Sequence, residues 1–140
     1  MKWRRAKWWD PRTWMAFAFW ELRMTFTATG GENLSDWKAA VTMTVAEILT
    51  IAALLDAISV YIGHRLGDRS VILIVVGFVI ASLNLRTALG KNKILNALRA
   101  QFEIYSLPAR ISGAIVVILL IVLSAIAAGL LGEAVSHLPH

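Results

Sequence analysis

Two carboxylates, Glu47 and Asp56, lie inside an apolar run from Ala39 to Ile62. A carboxylate at membrane depth is costly, and it persists by facing protein and finding a partner. The chemistry open to it is proton exchange, ion coordination or a polar link between helices. Arg86 offers a counter-charge. With the first turn centred between Leu66 and Gly67, Glu47 and Arg86 lie at similar depth, and Arg86 can also snorkel to the interface. Thr44, Thr50 and Asn84 fall within about one helical turn of that level. The expected cluster is Glu47, Arg86, Asn84, Thr44 and Thr50. It either answers to protons or ions or locks two helices together. Locking is favoured, because three spans enclose little space for a transport path. Asp56, nine residues after Glu47, is turned to nearly the opposite helix face at about 100° per residue. Ser59 and Tyr61 stand near it. It faces the third span, a partner protein or hydrated headgroups.

Other chemistry is sparse. His137 and His140 have the i, i+3 spacing of metal ligands, but Pro139 lies between them and no further ligand follows. His64 is expected to face solvent. The chain has no cysteine, which excludes disulfides and thiolate metal sites. No glycine-rich phosphate loop, HExxH or Ser-His-Asp arrangement occurs. Catalytic residues, a metal and a cofactor are therefore not expected, and the chain reads as a non-enzyme.

The elements that position these residues follow from three apolar runs, Ala39–Ile62, Val71–Leu89 and Ile111–Leu131. Each is close to the ~20 residues that a helix needs to cross ~30 Å of hydrocarbon. A soluble domain of 140 residues could bury one such helix but not three. Hydrophobic residues make up 58% of the chain and charged ones 16%, against about 25% charged in soluble domains. The fold class expected is all-α: a polytopic membrane bundle of three transmembrane helices, with an N-terminal interfacial helix and a cytoplasmic amphipathic helix. Residues 1–34 form the basic aromatic segment, 35–132 the bundle with its extra helix at 91–107, and 133–140 a short mobile tail. On the third span Gly113, Ala114, Ser124, Ala125, Ala127, Ala128 and Gly129 make a small-faced side suited to close helix contact, internal or in a homo-oligomer.

The net charge of +5 is distributed for topology rather than for nucleic acid. Seven Lys and Arg precede the first run, five occupy the next cytoplasmic flank (Arg86 near the end of the second run, then Lys91, Lys93, Arg99 and Arg110), and only Arg65 and Arg69 occupy the first connection. The positive-inside rule places the N-terminus in the cytoplasm and the C-terminus outside, with basic flanks touching anionic inner-leaflet lipid. A bacterial inner membrane is the expected location. Lys2–Lys7 and Trp14–Trp20 imitate a signal peptide, but Glu21 and Arg23 interrupt the run and no convincing cleavage site follows.

Asp10-Pro11 predicts a helix start. The following Trp14–Phe26 is too short and too charged to span, and with Trp3, Trp8 and Trp9 it reads as a helix on the inner leaflet. Its aromatics can equally pack against the end of the bundle or meet a partner, and alternation over Trp20–Thr27 leaves a short strand open. Gly30-Gly31 ends this element, and Ser35 with Asp36 signals the next helix start. The segment His64–Ser70, with Gly67 and Asp68, is a tight hairpin. Beyond Gly90, Ile94, Leu95, Leu98, Phe102 and Tyr105 keep helical spacing. That stretch is a continuation of the second span or a helix hinged at Gly90, and Pro108 stops it. Interface energetics favour Trp, Tyr and Arg, so Trp14, Trp20, Arg23, Arg99 and Tyr105 are the candidate partner-binding residues.

This layout resembles the small three-span bacterial membrane proteins encoded beside polymorphic toxins as their immunity partners. The shared features are the aromatic helix Trp14–Phe26, a second span ending in Asn84-Leu85-Arg86, and the amphipathic stretch Lys91–Glu103 before a last apolar helix. The resemblance implies an inner-membrane protein that blocks a toxin. An accessory subunit of a larger membrane complex and a small oligomeric ion or proton channel using Glu47 are the alternatives.

Overall fold

In the computed structural model, residues 9–29, 34–67, 69–91 and 93–139 are described. They form five helices and no strand: α1 (Pro11–Ala28), α2 (Ser35–Ile62), α3 (Arg69–Ala88), α4 (Lys93–Glu103) and α5 (Leu107–Ser136). Trp3, Trp8, Gly30, Gly31, Asp68 and His140 lie outside the described residues.

The helix boundaries have local causes. The Asp10 side chain accepts from the Arg12 amide at 2.9 Å, and Pro11 occupies the first turn of α1. The alternating stretch Trp20–Thr27 is helical, and Thr25 and Thr27 donate to the carbonyls of Glu21 and Arg23. Those bonds satisfy, within the helix, hydroxyls that on a strand would look outward. Leu34 takes the cap position of α2, one residue before the expected Ser35. Asp36 in the first turn complements the helix dipole and pairs with Arg23 at 2.6 Å. Gly63 closes α2 at φ +77, a conformation that favours glycine. Gly90, at φ +70, breaks the chain after α3, so α4 is a separate helix hinged there. Asn96 Nδ2 donates to the Gly90 carbonyl at 2.8 Å and fixes that hinge. Pro108 does not stop α4, which already ends at Glu103; it lies in the first turn of α5, where its missing N–H does no harm. Residues 133–136, expected in a mobile tail, continue α5.

Helix α2 is the centre, and α3 and α5 each pack on it rather than on one another. The seam of α3 comes from Leu73, Val76, Gly77, Ile80 and Asn84, at steps of three and four residues. At Gly77 a Cβ would stand 3.1 Å from Ile48 Cδ1, so the missing side chain permits the close approach. On α5 the half-buried and buried positions Val117, Ile121, Ser124, Ala128, Leu131 and Val135 repeat the same steps. The small side of α5 is divided: Gly113, Ser124 and Ala128 turn inward, and Ala125 and Gly129 outward.

Three helices, α2, α3 and α5, are long and apolar enough to cross a membrane. With 28, 20 and 30 residues they measure about 42, 30 and 45 Å. They are level at the hairpin end, where Arg65 binds the last turn of α5. The surplus turns of α2 and α5 therefore project past α3 at the other end. There they hold α1 and α4. The main buried cluster sits on this overhang: Ala39, Ala40 and Met43 of α2 and Val117 of α5 meet Phe19, Trp20 and Leu22 of α1 and Leu95, Leu98 and Phe102 of α4. Of the placements open to the aromatic segment, packing on the bundle's end accounts for its buried residues, while Trp9 and Trp14 stay exposed.

Candidate functional site

The intramembrane polar residues resolve into separate links, each joining α2 to a neighbour. In the first, Asn84 of α3 donates through Nδ2 to Thr44 Oγ1 at 3.0 Å and to Glu47 Oε2 at 3.1 Å. Thr44 in turn donates to the Ala40 carbonyl at 2.8 Å. Asn84 is buried one turn before the end of α3. The partner of Glu47 is thus Asn84, not Arg86. Asn84 and Arg86 stand at nearly the same level of α3, but two residues along a helix is about 200° of rotation. Arg86 is therefore turned away from Glu47, is exposed, and makes no ion pair with a described carboxylate. Glu47 Oε1 is buried without a hydrogen-bond partner among the described residues. Glu47 also lines an apolar groove of about 260 Å³ between α1, α2 and α5.

Thr50 leaves the expected cluster. It donates to the Ala46 carbonyl at 2.8 Å and to Ser124 Oγ of α5 at 3.1 Å, tying α2 to the opposite neighbour. The two links leave α2 toward different neighbours, α3 and α5, although Glu47 and Thr50 stand only about 60° apart around the helix.

The third link closes the hairpin end. Asp56 is 0% exposed, and the Arg69 guanidinium meets it end-on: Nη2 donates to Oδ2 and Nη1 lies against Oδ1, both at 2.8 Å. A Cβ on Gly132 of α5 would stand 3.6 Å from Oδ2, so the carboxylate is wedged between α3 and α5. Hydration by headgroups is not its environment. Ser59 Oγ accepts from the Leu66 amide at 3.3 Å, whereas Tyr61, 91% exposed, takes no part. Arg65 caps α5: its Nε donates to the carbonyls of Val135 at 3.2 Å and Leu138 at 3.1 Å, and its Nη2 donates to that of Ser136. These are orphan carbonyls of a helix terminus, for which a guanidinium is a fitting donor. Nothing in the local sequence marks Arg65 for this, since its acceptors lie some 70 residues away.

A third buried carboxyl, that of Glu21 on α1, was legible only as a break in an apolar stretch. It is buried, and its Oε1 has no hydrogen-bond partner among the described residues. Burial pushes its pKa up to about 7, against a smaller opposing pull from the Arg110 guanidinium. Glu21 lies against Gly113 of α5, where a Cβ would come within 2.6 Å of Oε1 and 2.8 Å of Phe17 Cζ. Around it Phe17, Trp20, Phe102 and Tyr105 form an aromatic layer with ring centroids 5.5 to 6.4 Å apart. Arg110 sits 5.3 Å over the Trp20 ring. The available signal was a single carboxylate between Trp20 and Leu22.

The candidate partner-binding residues divide. Trp20 is 1% exposed at the centre of the cluster and is not available to a partner in the folded chain. Arg23 is engaged with Asp36, and Tyr105 is half-buried against Phe17 and Phe102. Trp14, half exposed, and Arg99, paired with Glu103 at 2.8 Å on the outer face of α4, remain on the surface. No group of three or more metal-ligating side chains occurs among the described residues. No protein-family model matches the chain, and comparison with curated proteins and with solved structures finds no match either.

Proposed function

We propose that this chain is a non-enzymatic interaction protein of the bacterial inner membrane, which acts by binding another protein at or within the bilayer. In its most concrete form it is an immunity or inhibitory factor that neutralises a membrane-acting or membrane-crossing toxin. The observation that supports binding is where the intramembrane polar groups are spent. Asn84, Thr44 and Glu47, then Thr50 and Ser124, then Asp56 and Arg69, all make links inside one protomer. A conducting path needs a file of polar groups along one line, but these links leave α2 on different sides and at different depths. A channel built on Glu47 is correspondingly disfavoured. Meanwhile only 11% of the apolar window of α3 and 6% of that of α5 is buried. Their open faces are available to lipid or to a membrane partner. The inhibitory form draws on the resemblance in layout, and the accessory subunit of a larger complex is the same binding role with a different partner.

With the N-terminus inside, α1 and α4 stand on the cytoplasmic side, α1 sinking Trp9 and Trp14 into the inner leaflet's headgroups. A toxin working in the cytoplasm would then meet Arg99, one approaching along the inner leaflet would meet Trp14, and a pore-former arriving from outside would meet the hairpin. Co-expression with a secreted toxin encoded beside this chain tests the inhibitory role. Growth should be restored, and Trp14→Ala or Arg99→Ala should abolish rescue at unchanged membrane levels. Trp20→Ala would instead lower the protein level. If no neighbouring product is toxic, or co-expression never protects, the inhibitory role fails and the accessory-subunit role replaces it. Reporter fusions after Leu138 and within α4 should report opposite sides of the membrane.

A further inference from the structure

The groove enclosed by α1, α2, α3 and the start of α4 is cationic, and the links described above use none of its cations. Its volume is about 470 Å³, and Arg12, Arg86, Lys91 and Lys93 line it. No Asp or Glu lines it, and none of the four makes an ion pair with a described residue. The backbone sets them around one opening. Arg12 is in the first turn of α1, Arg86 in the last turn of α3, and Lys93 at the first position of α4. Lys91 sits just past the Gly90 turn, where its amide donates to the Arg86 carbonyl at 2.9 Å.

Beside the cations the wall changes character. Met15, Phe19, Met43 and Leu83 line the groove, with Leu83 on the exposed side of α3. Asn84 is at the same level, its amide already committed to Glu47 and Thr44. Charge therefore lies where α3 leaves its apolar stretch, and Leu83, about one turn back along α3, lies on the membrane side of it. A free anion would use the cations and leave the apolar wall unfilled. An amphipathic anion fills both.

We propose that this groove is a binding site for an anionic glycerophospholipid, its phosphodiester held by Arg86, Lys91, Lys93 and Arg12 and its acyl chains laid along Leu83 and Met15. Basic pockets beside membrane helices recognise lipid phosphates in this manner. The site is independent of the protein partner proposed above and is tested without one.

The test uses the full chain in mild non-ionic detergent, with bound lipid read by native mass spectrometry and melting by tryptophan fluorescence. The probes are dioctanoyl phosphatidylglycerol, dioctanoyl phosphatidylcholine and inorganic phosphate. Phosphatidylglycerol should bind and raise the melting temperature, and the other two should do neither. Each cation removed should weaken phosphatidylglycerol about fivefold, so Arg86→Gln with Lys93→Gln should lose about 25-fold. The exchange Arg86→Lys with Lys93→Arg should retain binding. Both side chains are exposed, so lipid-free melting should match the unaltered protein. Should the neutralised pair melt early, Arg12→Gln and Lys91→Gln, from other parts of the rim, carry the same comparison. Equal binding of phosphatidylcholine, an equal shift with inorganic phosphate, or undiminished phosphatidylglycerol binding after neutralisation would overturn the proposal.

Discussion

Neutralising Glu21 should stabilise this protein at alkaline pH and leave it unchanged in acid. The carboxyl is buried beside Gly113, and its pKa stands at about 7 instead of 4.5. A rise of that size corresponds to about 3 kcal/mol in favour of the protonated form. The sign follows from proton linkage. Between pH 4.5 and 7 the folded chain holds a proton that the unfolded chain has released, so stability falls as pH rises through that window. Below it both states are protonated and no penalty exists. Above it both are ionised and the full penalty applies. Glu21→Gln removes the titration while keeping the shape. Denaturant unfolding in detergent, followed by the fluorescence of buried Trp20, should show the two proteins equal near pH 4.5. At pH 8 the variant should be more stable by up to about 3 kcal/mol. Every other carboxyl is the same in the two proteins, so the difference isolates Glu21. Parallel pH profiles for the two would refute the assignment. Arg110→Gln, which removes the opposing pull, should move the window upward.

The remaining predictions concern the links between helices. Asn84→Ala should destabilise by about 0.6 to 2 kcal/mol, the range of intramembrane polar contacts, and a double-mutant cycle with Glu47→Gln should show coupling. Arg86→Ala should show none with Glu47, and a cycle giving the reverse would restore the ion pair that the sequence suggests. At the hairpin, Arg69→Gln should cost about 3 kcal/mol by stranding a buried carboxylate. Asp56→Asn should cost less, because Arg69 retains 33% side-chain exposure to solvent. Equal losses, measured by the same unfolding assay, would argue against that asymmetry. Gly113→Ala should cost about 1 to 3 kcal/mol through overpacking against Phe17 and Glu21, and a neutral result would show that α1 does not bear on α5 there.

Some of this was legible along the chain because it depends on local chemistry alone. Length and apolarity suffice to mark a span, since lipid asks only for hydrocarbon and internally satisfied backbone. The three runs become α2, α3 and α5 with modest extensions at their ends. Asp10-Pro11 starts α1 and Gly90 separates α4 from α3, because a cap and a left-handed turn each need only neighbouring residues. The level at which Glu47 meets α3 was readable, to within a turn, by counting from the hairpin.

What only tertiary structure decided is which way each side chain points and what it meets. Counting gives depth but not rotation, and rotation on a second helix exchanged Arg86 for Asn84 as the partner of Glu47. It also sent Thr50 to Ser124 of α5. Tryptophan favours both an interface and a core, so composition could not separate exposed Trp14 from buried Trp20. Arg65 and the end of α5 are joined across the chain, as are Glu21 and Gly113, and no local pattern encodes such meetings. The sequence by itself determined that three helices are long and apolar enough to cross a membrane and where they begin to turn. Packing decided which polar groups those helices keep for themselves, because a partner is a property of two surfaces and a sequence displays one chain at a time.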